Sequence, residues 1–320
     1  MIILGGNGVK DKRLMIGVPT KNHPQYIQLY LAKSLDDAKK YGIDIHIYDS
    51  SEGDETEDIV KRRIDSGYDN VFIHRYSPTL PPEKKIKDIL VSSGYDYVWL
   101  CGDGIILNIE NVMGYVLNEM ENNRDLIIFN FLDNKNRYEV YNDPTKLIVE
   151  QWNSISLYGG TIYRGDFFTE DDWNRLFPIY TDNIQLAGIF DIYTQRETNA
   201  VSVDTDFYTP NIFKGEATWI THGNLLRTVV DHIPTAVDNL PADYDEVKPQ
   251  VSKLFSELRG MLLPRNVWWL RAYDNINVKK CFKYWKQLGK ITKTNRLLFL
   301  FASLIPRSTA CKLSNIFSDA

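Results

Sequence analysis

Three short stretches set polar, chemistry-bearing residues at the ends of apolar runs: Pro19-Thr20 after LMIGV, Asp49 closing IDIHIYD, and Gly102-Asp103-Gly104 after YVWLC. An ionised carboxylate in an apolar setting is costly unless something pairs with it. A glycine on each side of Asp103 lets the backbone turn sharply and leaves room for a ligand to come close. A structural turn accounts for the glycines alone, whereas a metal or phosphate site accounts for all three residues. Asp49 precedes Ser50 and Ser51, so an Asx turn leading into the next helix is a second reading of it. Carboxylates repel phosphate, but carboxylate and diphosphate oxygens can share a divalent cation. A cation-bridged diphosphate is therefore the chemistry these residues suggest.

Such residues work together only if the fold brings the ends of their strands to one edge, and the periodicities of the first hundred residues predict that it does. Leu14–Pro19 is a short apolar run ended by proline, Ile43–Asp49 alternates strictly, and NVFIHRY and YDYVWL follow as third and fourth strands. Between them, Gln25–Tyr41 carries apolar residues at helical spacing and stops at Gly42, a second helix ends at Gly67, and a third spans Pro81–Ser93. This alternation predicts βαβ units, an α/β fold with an open, mostly parallel sheet flanked by helices. Ligands of such sheets sit at the carboxyl ends of the strands. Further on, a helix over Ile109–Glu121 and a strand over Asp125–Asn130 lead into a looser region. Helices are expected again over His222–Val237 and Pro241–Leu262.

The chain has 320 residues, 43% of them hydrophobic, enough for a substantial core. Its net charge of −5 gives no case for a nucleic-acid partner. Asn275–Ser318, however, holds nine basic residues and no acidic one, leaving −14 for the remainder. Three cysteines, one of them within the apolar run before Gly102, are no disulfide framework and point to a reducing compartment. Met1–Arg13 has too short an apolar run for a signal peptide, and LLFLFA over Leu297–Ala302 is far short of a span. The expected location is the cytoplasm, with peripheral contact to the inner face of the plasma membrane as an option for the basic tail.

Residues 14–108 resemble the nucleotide-binding half of family 2 glycosyltransferases, which have the GT-A fold. IGVPTKNHPQY looks like the family's first strand and turn. IHIYDSSEGDET is similar to its second, acidic motif, and YVWLCGDGIIL to the strand carrying D-x-D. The resemblance implies that Pro19, Thr20 and Asp49 line the nucleotide base and ribose. It implies that Asp103 holds a Mn2+ or Mg2+ bridging the donor diphosphate. Two departures stand out: Ser50 occupies the place of a second aspartate, and Cys101 that of the first aspartate of D-x-D.

The same resemblance organises the rest. Residues 1–108 would be the nucleotide-sugar half, 109–264 the acceptor half, and 265–320 a basic amphipathic extension. Gly159-Gly160, within SLYGGTIYR, looks like the turn that shapes the acceptor side, a plain hairpin turn being the alternative. An inverting transferase needs a carboxylate to deprotonate the acceptor hydroxyl. Asp191 in GIFDIYTQR is the position chosen, with Asp182 as competitor. The acidic TEDDW is read instead as a helix capping box from Thr169 to Asp172. His222 is a second conceivable metal ligand, although a structural histidine is the preferred reading. The implied activity is a metal-dependent inverting transfer of a sugar, with UDP as the expected nucleotide, onto a saccharide or lipid-linked saccharide of a surface polysaccharide. A non-catalytic scaffold of the same fold is the alternative, and a sugar-1-phosphate nucleotidyltransferase a weaker one. Across residues 278–305, apolar residues at helical spacing interleave with lysines, which suits an anionic membrane surface or packing on the body.

Overall fold

A computed structural model describes residues 2–4, 13–91, 93–130, 138–213 and 224–318. His222 lies outside them, and the Asp182 side chain is not described. Two compact units divide the chain. The first comprises residues 1–144, 154–178 and 197–214; the second comprises 145–153, 179–196 and 215–320.

The first unit is built on a nine-stranded sheet. In chain order its strands are β1 (Ile2–Leu4), β2 (Leu14–Thr20), β3 (Asp44–Asp49), β4 (Val71–Arg75) and β5 (Tyr97–Leu100). After a short β6 (Ile105–Leu107) come β7 (Leu126–Asn130), β8 (Tyr138–Tyr141), β9 (Thr161–Arg164) and β10 (Ala200–Asp204). The spatial order is β1-β4-β3-β2-β5-β9-β7-β10-β8. Strands β4, β3, β2 and β5 pair in parallel, as do β7 and β10, while β1, β9 and β8 pair antiparallel to their neighbours. The α/β expectation therefore holds, with the parallel part concentrated where the acidic motifs lie. Strand β6 stands apart and pairs antiparallel with β11 (Tyr208–Pro210).

Local sequence explains the crossovers. Helix α1 (Pro24–Lys40) buries Ile27, Tyr30, Leu31, Leu35 and Ala38, spaced three and four apart, against Ile16, Val18, Ile45 and Ile47 of the sheet. It ends in a Schellman motif: Gly42 has φ +68°, its amide donates to Lys39 O, and Ile43 N donates to Ala38 O at 2.8 Å. Helix α2 (Glu55–Asp65) returns the chain to β4, and α3 (Pro82–Leu90) returns it to β5. Gly17 has no side chain because Ile89 of α3 packs there; a Cβ at position 17 would lie 2.6 Å from Ile89 Cγ2. The close approach of α3 to β2 fixes what the preceding turn of that helix can reach.

Alternation along β3 sends Ile45 and Ile47 into this core and His46 and Tyr48 to the other face. There His46 Nδ1 lies 2.8 Å from His74 Nε2, and His46 Nε2 lies 3.0 Å from the Tyr95 hydroxyl. That hydroxyl also donates to Asp44 at 2.6 Å. Helix α4 (Ile109–Glu121) follows β6, α5 spans Pro144–Ile155, and α6 spans Glu170–Tyr180. The capping box read from TEDDW is present. Thr169 Oγ1 accepts from Asp172 N at 3.0 Å, and Asp172 Oδ2 accepts from Thr169 N at 3.2 Å.

The described part of the second unit is helical. Every residue of α7 (Ile184–Ile192) is buried, and the Tyr244 hydroxyl donates to Phe190 O at 2.8 Å. The expected helix before Val237 is π-helical over Leu226–His232 and α-helical only over Ile233–Asp238 (α8). Helix α9 (Lys248–Arg259) ends at Gly260, φ +67°. After α10 (Val267–Ala272), the stretch expected to form one basic amphipathic helix is two short ones, α11 (Val278–Lys283) and α12 (Trp285–Ile291), which meet at the buried Tyr284. Helices α13 (Arg296–Leu304) and α14 (Arg307–Ser318) complete it.

Candidate nucleotide and cation site

The site assembles at the carboxyl ends of β2, β3 and β5. Register sets Thr20 opposite Asp49, and β5 follows β2 on the other side. Thr20 Oγ1 donates to Asp103 Oδ2 at 2.8 Å. The same oxygen faces His23 Nδ1 at 2.9 Å. This hydrogen bond to the Asp103 carboxylate raises the pKa of His23 above its usual range, against an opposing effect of burial. Among the described residues, Asp103 Oδ1 has no hydrogen-bond partner, and the side chain keeps 18% of its exposure. One carboxylate oxygen is thus tied to the protein while the other faces outward.

Asp49 is arranged differently. Its side chain is fully buried, Oδ1 accepts from the Ser51 amide at 2.8 Å and from the Ser51 hydroxyl, and Oδ2 is ion-paired with Arg75. Arg75, at the end of β4, also donates to Gly53 O at 3.0 Å and to Asp54 Oδ1 at 3.1 Å. The Asx turn expected as one reading of Asp49 is therefore formed, and Asp49 with Arg75 holds the loop after β3 in shape. It does not cap α2, whose N-cap residue is Asp54.

A cation that the sequence reading missed completes the cluster. Lys85 and Ile89 lie four apart on one face of α3; with Ile89 against Gly17, the Lys85 side chain runs along β2. Its Nζ donates to Thr20 O at 2.7 Å and to Ser50 Oγ at 2.9 Å. Lys85 is only 4% exposed, and burial pushes its pKa down to about 8, with Asp49 and Asp103 pulling it back up. Ser50, the position that departs from the family's aspartate pair, is thus the acceptor of a buried lysine.

Three more groups frame Asp103. Asn211, after β11, donates from Nδ2 to Asp103 O at 3.2 Å and to Tyr26 O at 3.1 Å. Tyr26 stacks on His23 with ring centres 4.5 Å apart. Asn22, at φ +56°, donates its amide to Ser51 Oγ at 2.7 Å and accepts from Glu52 N at 3.0 Å. Pro19 is partly exposed beside Thr20. Cys101, the other departure from D-x-D, is fully buried in the apolar core cluster.

The Gly159-Gly160 turn reaches the same strand end. Gly159 N donates to Leu100 O at 2.7 Å, Trp99 Nε1 donates to Gly159 O at 2.8 Å, and Tyr158 packs beside Gly102. Gly159 has φ +97°, and a Cβ on Gly160 would run into the Ser154 carbonyl. The left-handed backbone at Gly159 and backbone crowding at Gly160 thus explain the two glycines. Asp191 belongs to the second unit, on α7, where it is 8% exposed and lies 3.3 Å from the Tyr180 hydroxyl.

Among the described residues, no three acidic, histidine or cysteine side chains cluster as a metal site. A divalent cation with a full protein ligand set does not fit these residues. A cation held by Asp103 Oδ1, with phosphate and water supplying its other ligands, does fit, because Mg2+ and Mn2+ sites of this kind keep few protein carboxylates.

No protein-family model matches the chain, and no curated protein matches it. Solved structures do. The protein is 12% identical to S. aureus TarS, with a TM-score of 0.56 over 96% of this chain. It covers 55% of that TarS chain, about half its length. Against residues 1–349 of TarS in complex with UDP-GlcNAc, identity is 12% and the TM-score 0.56, covering 96% of this chain and 92% of the other. Against the mannosyltransferase PcManGT from Pyrobaculum calidifontis, in complex with GDP-Man and Mn2+, identity is 12% and the TM-score 0.52, covering 97% and 86%. The chain has a GT-A-like fold. Within that GT-A-like fold, the Thr20–Asp103 edge is the strand-end position at which open α/β sheets receive their ligands.

Proposed function

We propose that the protein is a glycosyltransferase that uses a nucleotide-sugar donor, with the nucleotide diphosphate received at the Thr20–Asp103–Lys85 edge of the first unit. The observation that carries this reading is that Thr20 holds both groups at that edge: its hydroxyl donates to Asp103, whose other oxygen is unpartnered among the described residues, and its carbonyl accepts from the buried Lys85 ammonium. The UDP-GlcNAc complex of TarS and the GDP-Man and Mn2+ complex of PcManGT support a nucleotide-sugar and a divalent ion for a chain of this fold. UDP is the nucleotide we favour, on the resemblance of the first two motifs.

In this reading Pro19 and Thr20 flank the nucleoside, and Asp49 acts through the turn that it fixes with Arg75 and Ser51. Asp103 Oδ1 would hold the Mn2+ or Mg2+, which when bound neutralises charge on the departing nucleoside diphosphate. Lys85 adds a fixed positive charge to the same edge. Tyr158, Gly159 and Gly160 border the acceptor side. The proposed reaction is an inverting single displacement: the acceptor oxygen bonds to the anomeric carbon, the bond to the diphosphate oxygen breaks, and Asp191 takes the acceptor proton. The acceptor we favour is a saccharide or lipid-linked saccharide in surface-polysaccharide assembly.

One observation favours a non-catalytic scaffold instead: among the described residues, no three acidic, histidine or cysteine side chains gather as a metal site. Calorimetry with UDP and GDP, with and without Mn2+, separates the two. Metal-enhanced binding that is lost in Asp103→Ala, together with hydrolysis of one nucleotide-sugar from a donor screen, is expected. Binding of neither nucleotide under any metal condition would leave the scaffold.

A further inference from the structure

The second unit displays an apolar surface where its charge is most positive. On α13, Leu297, Phe301 and Leu304 recur at i, i+4 and i+7 and are 61%, 59% and 67% exposed. The opposite side of that helix is already packed, with Phe299 and Ala302 fully buried. On α11, Val278 and Phe282 form a second exposed i, i+4 pair, and Phe282 is 62% exposed. The two helices are joined: Cys281 Sγ donates to Phe299 O at 3.6 Å. Trp285 stacks on Phe282 with centres 6.2 Å apart and has the Arg296 guanidinium 4.9 Å from its ring. Large apolar side chains at such exposure, repeated at helical spacing, mark a surface that meets something.

The charges around it identify the partner. No acidic residue occurs from Asn275 to Ser318. Lys290 and Lys293 reach Asp238 and Glu257 elsewhere in the unit. Lys279, Lys283 and Lys286 are exposed and, among the described residues, have no carboxylate within ion-pair distance. A second copy of this chain docked face to face would set these lysines against one another, which costs affinity. Nucleic acid would satisfy the lysines but leave the Leu297–Leu304 stripe in water. An anionic lipid surface satisfies both, with aliphatic and aromatic side chains at the acyl boundary and ammonium groups among the headgroups. Among the described residues no helix is long and apolar enough to cross a membrane, so the contact is one of lying on the surface.

We infer that α11 and α13 form a peripheral docking surface for anionic phospholipid, with Phe282, Leu297, Phe301 and Leu304 inserting and Lys279, Lys283 and Lys286 pairing with headgroups. This inference rests on the second unit alone and stands whether or not the nucleotide assignment does.

The test is sedimentation of the full chain with phosphatidylcholine vesicles, with and without about one-third phosphatidylglycerol. Binding is expected only with the anionic lipid and should weaken as salt rises. Leu297→Ser with Leu304→Ser should weaken it by about tenfold or more, and Lys279→Glu with Lys283→Glu and Lys286→Glu similarly. All these side chains are exposed, and unchanged thermal melting checks that each variant folds. No binding to anionic vesicles, or binding that both variants retain in full, overturns the inference. So does concentration-dependent dimerisation in lipid-free buffer that either variant abolishes, since the face would then belong to a second copy.

Discussion

Thr20 Oγ1 lies 2.8 Å from Asp103 Oδ2, tying together the ends of neighbouring parallel strands whose residues stand 83 positions apart. The bond fixes which carboxylate oxygen faces the protein and which faces a ligand. Thr20→Val keeps the side chain's shape and removes the donor, leaving His23 as the partner of that oxygen among the described residues. A hydrogen bond to a charged group contributes about 1.5–3 kcal/mol. Urea unfolding should show a loss of that order. Metal-dependent nucleotide binding, followed by calorimetry, should weaken several-fold while metal-independent binding changes little.

Lys85 gives the site a pH dependence of definite sign. Burial lowers its pKa to about 8, so above that pH the ammonium loses its proton and its attraction for a diphosphate. Nucleotide affinity should fall as pH rises from 7 to 9. Loss of the fold does not explain such a fall. An unfolded lysine holds its proton to about 10.4, so between 8 and 10.4 the unfolded chain binds more protons and this group makes the fold more stable as pH rises. Lys85→Met should bind nucleotide weakly at every pH and show no such slope. A wild-type affinity that stays level across this range would remove Lys85 from the site.

The contrast between Asp103 and Lys85 shows what local sequence carries. The strands and crossover helices are legible because apolar runs, strict alternation and glycine stops are local signals, and Gly42 does terminate α1 as read. Asp103 is legible because two glycines flank it. Lys85 sits among Lys84 and Lys87 and reads as one more solvated charge. Its burial depends on Gly17 admitting Ile89, a contact between residues 72 positions apart that no periodicity encodes. Ile86 and Ile89 beside it are the available hint, since they put Lys85 next to the buried stripe of α3. His23 lies within IGVPTKNHPQY but gains meaning only from its distance to Asp103. Asn211 arrives through the pairing of β11 with β6, more than a hundred residues away. The break at Tyr284 and the π-helical turn at 226–232 follow from tertiary packing over helical spacing that predicts continuous helix.

On the far face of β3 and β4, His74 is held neutral. Burial pushes it down to about 4, with Asp88 opposing, while an unfolded histidine titrates near 6.5. As pH falls, the unfolded chain therefore takes up the proton first. The contribution of this group to stability is complete above about pH 6.5 and is lost on the way down to about 4. The partly solvent-screened shift corresponds to about 1–3 kcal/mol. Urea midpoints at pH 7 and pH 4.5 should separate accordingly in the wild type. His74→Phe preserves stacking on Tyr48, 4.4 Å away, and should reduce the difference.

Gly160 should tolerate no side chain. Its missing Cβ faces the Ser154 carbonyl, a backbone atom that cannot rotate aside, while the Gly160 amide donates to Leu157 O and its carbonyl accepts from Phe129 N. Gly160→Ala should cost about 2–3 kcal/mol by overpacking. At Gly94, with φ +71° and open space where a Cβ would stand, alanine brings only backbone strain of about 1 kcal/mol. Thermal melts of the two variants should rank in that order. Equal melting points would mean that the turn before β9 shifts freely, which the Gly159 bond to Leu100 O argues against.

Asp191 is the last position to test, because its proposed role as base and its observed structural partners make different demands. Its carboxylate is buried in an apolar helix with the Tyr180 hydroxyl at 3.3 Å, and that hydroxyl also lies 3.2 Å from Asn239 O. One hydroxyl proton serves only one of these acceptors at a time. Asp191→Asn keeps an acceptor oxygen and the same volume, so melting should move little, whereas Tyr180→Phe removes the donor and should cost about 1 kcal/mol. A general base contributes about 100-fold or more to a transfer reaction. Asp191→Asn should therefore retain nucleotide affinity while sugar transfer to an acceptor falls by that factor, and Tyr180→Phe should alter transfer far less. Measuring nucleotide release with and without acceptor distinguishes transfer from donor hydrolysis. Turnover by Asp191→Asn at the wild-type rate would place the base on another carboxylate, with Asp182 next in line.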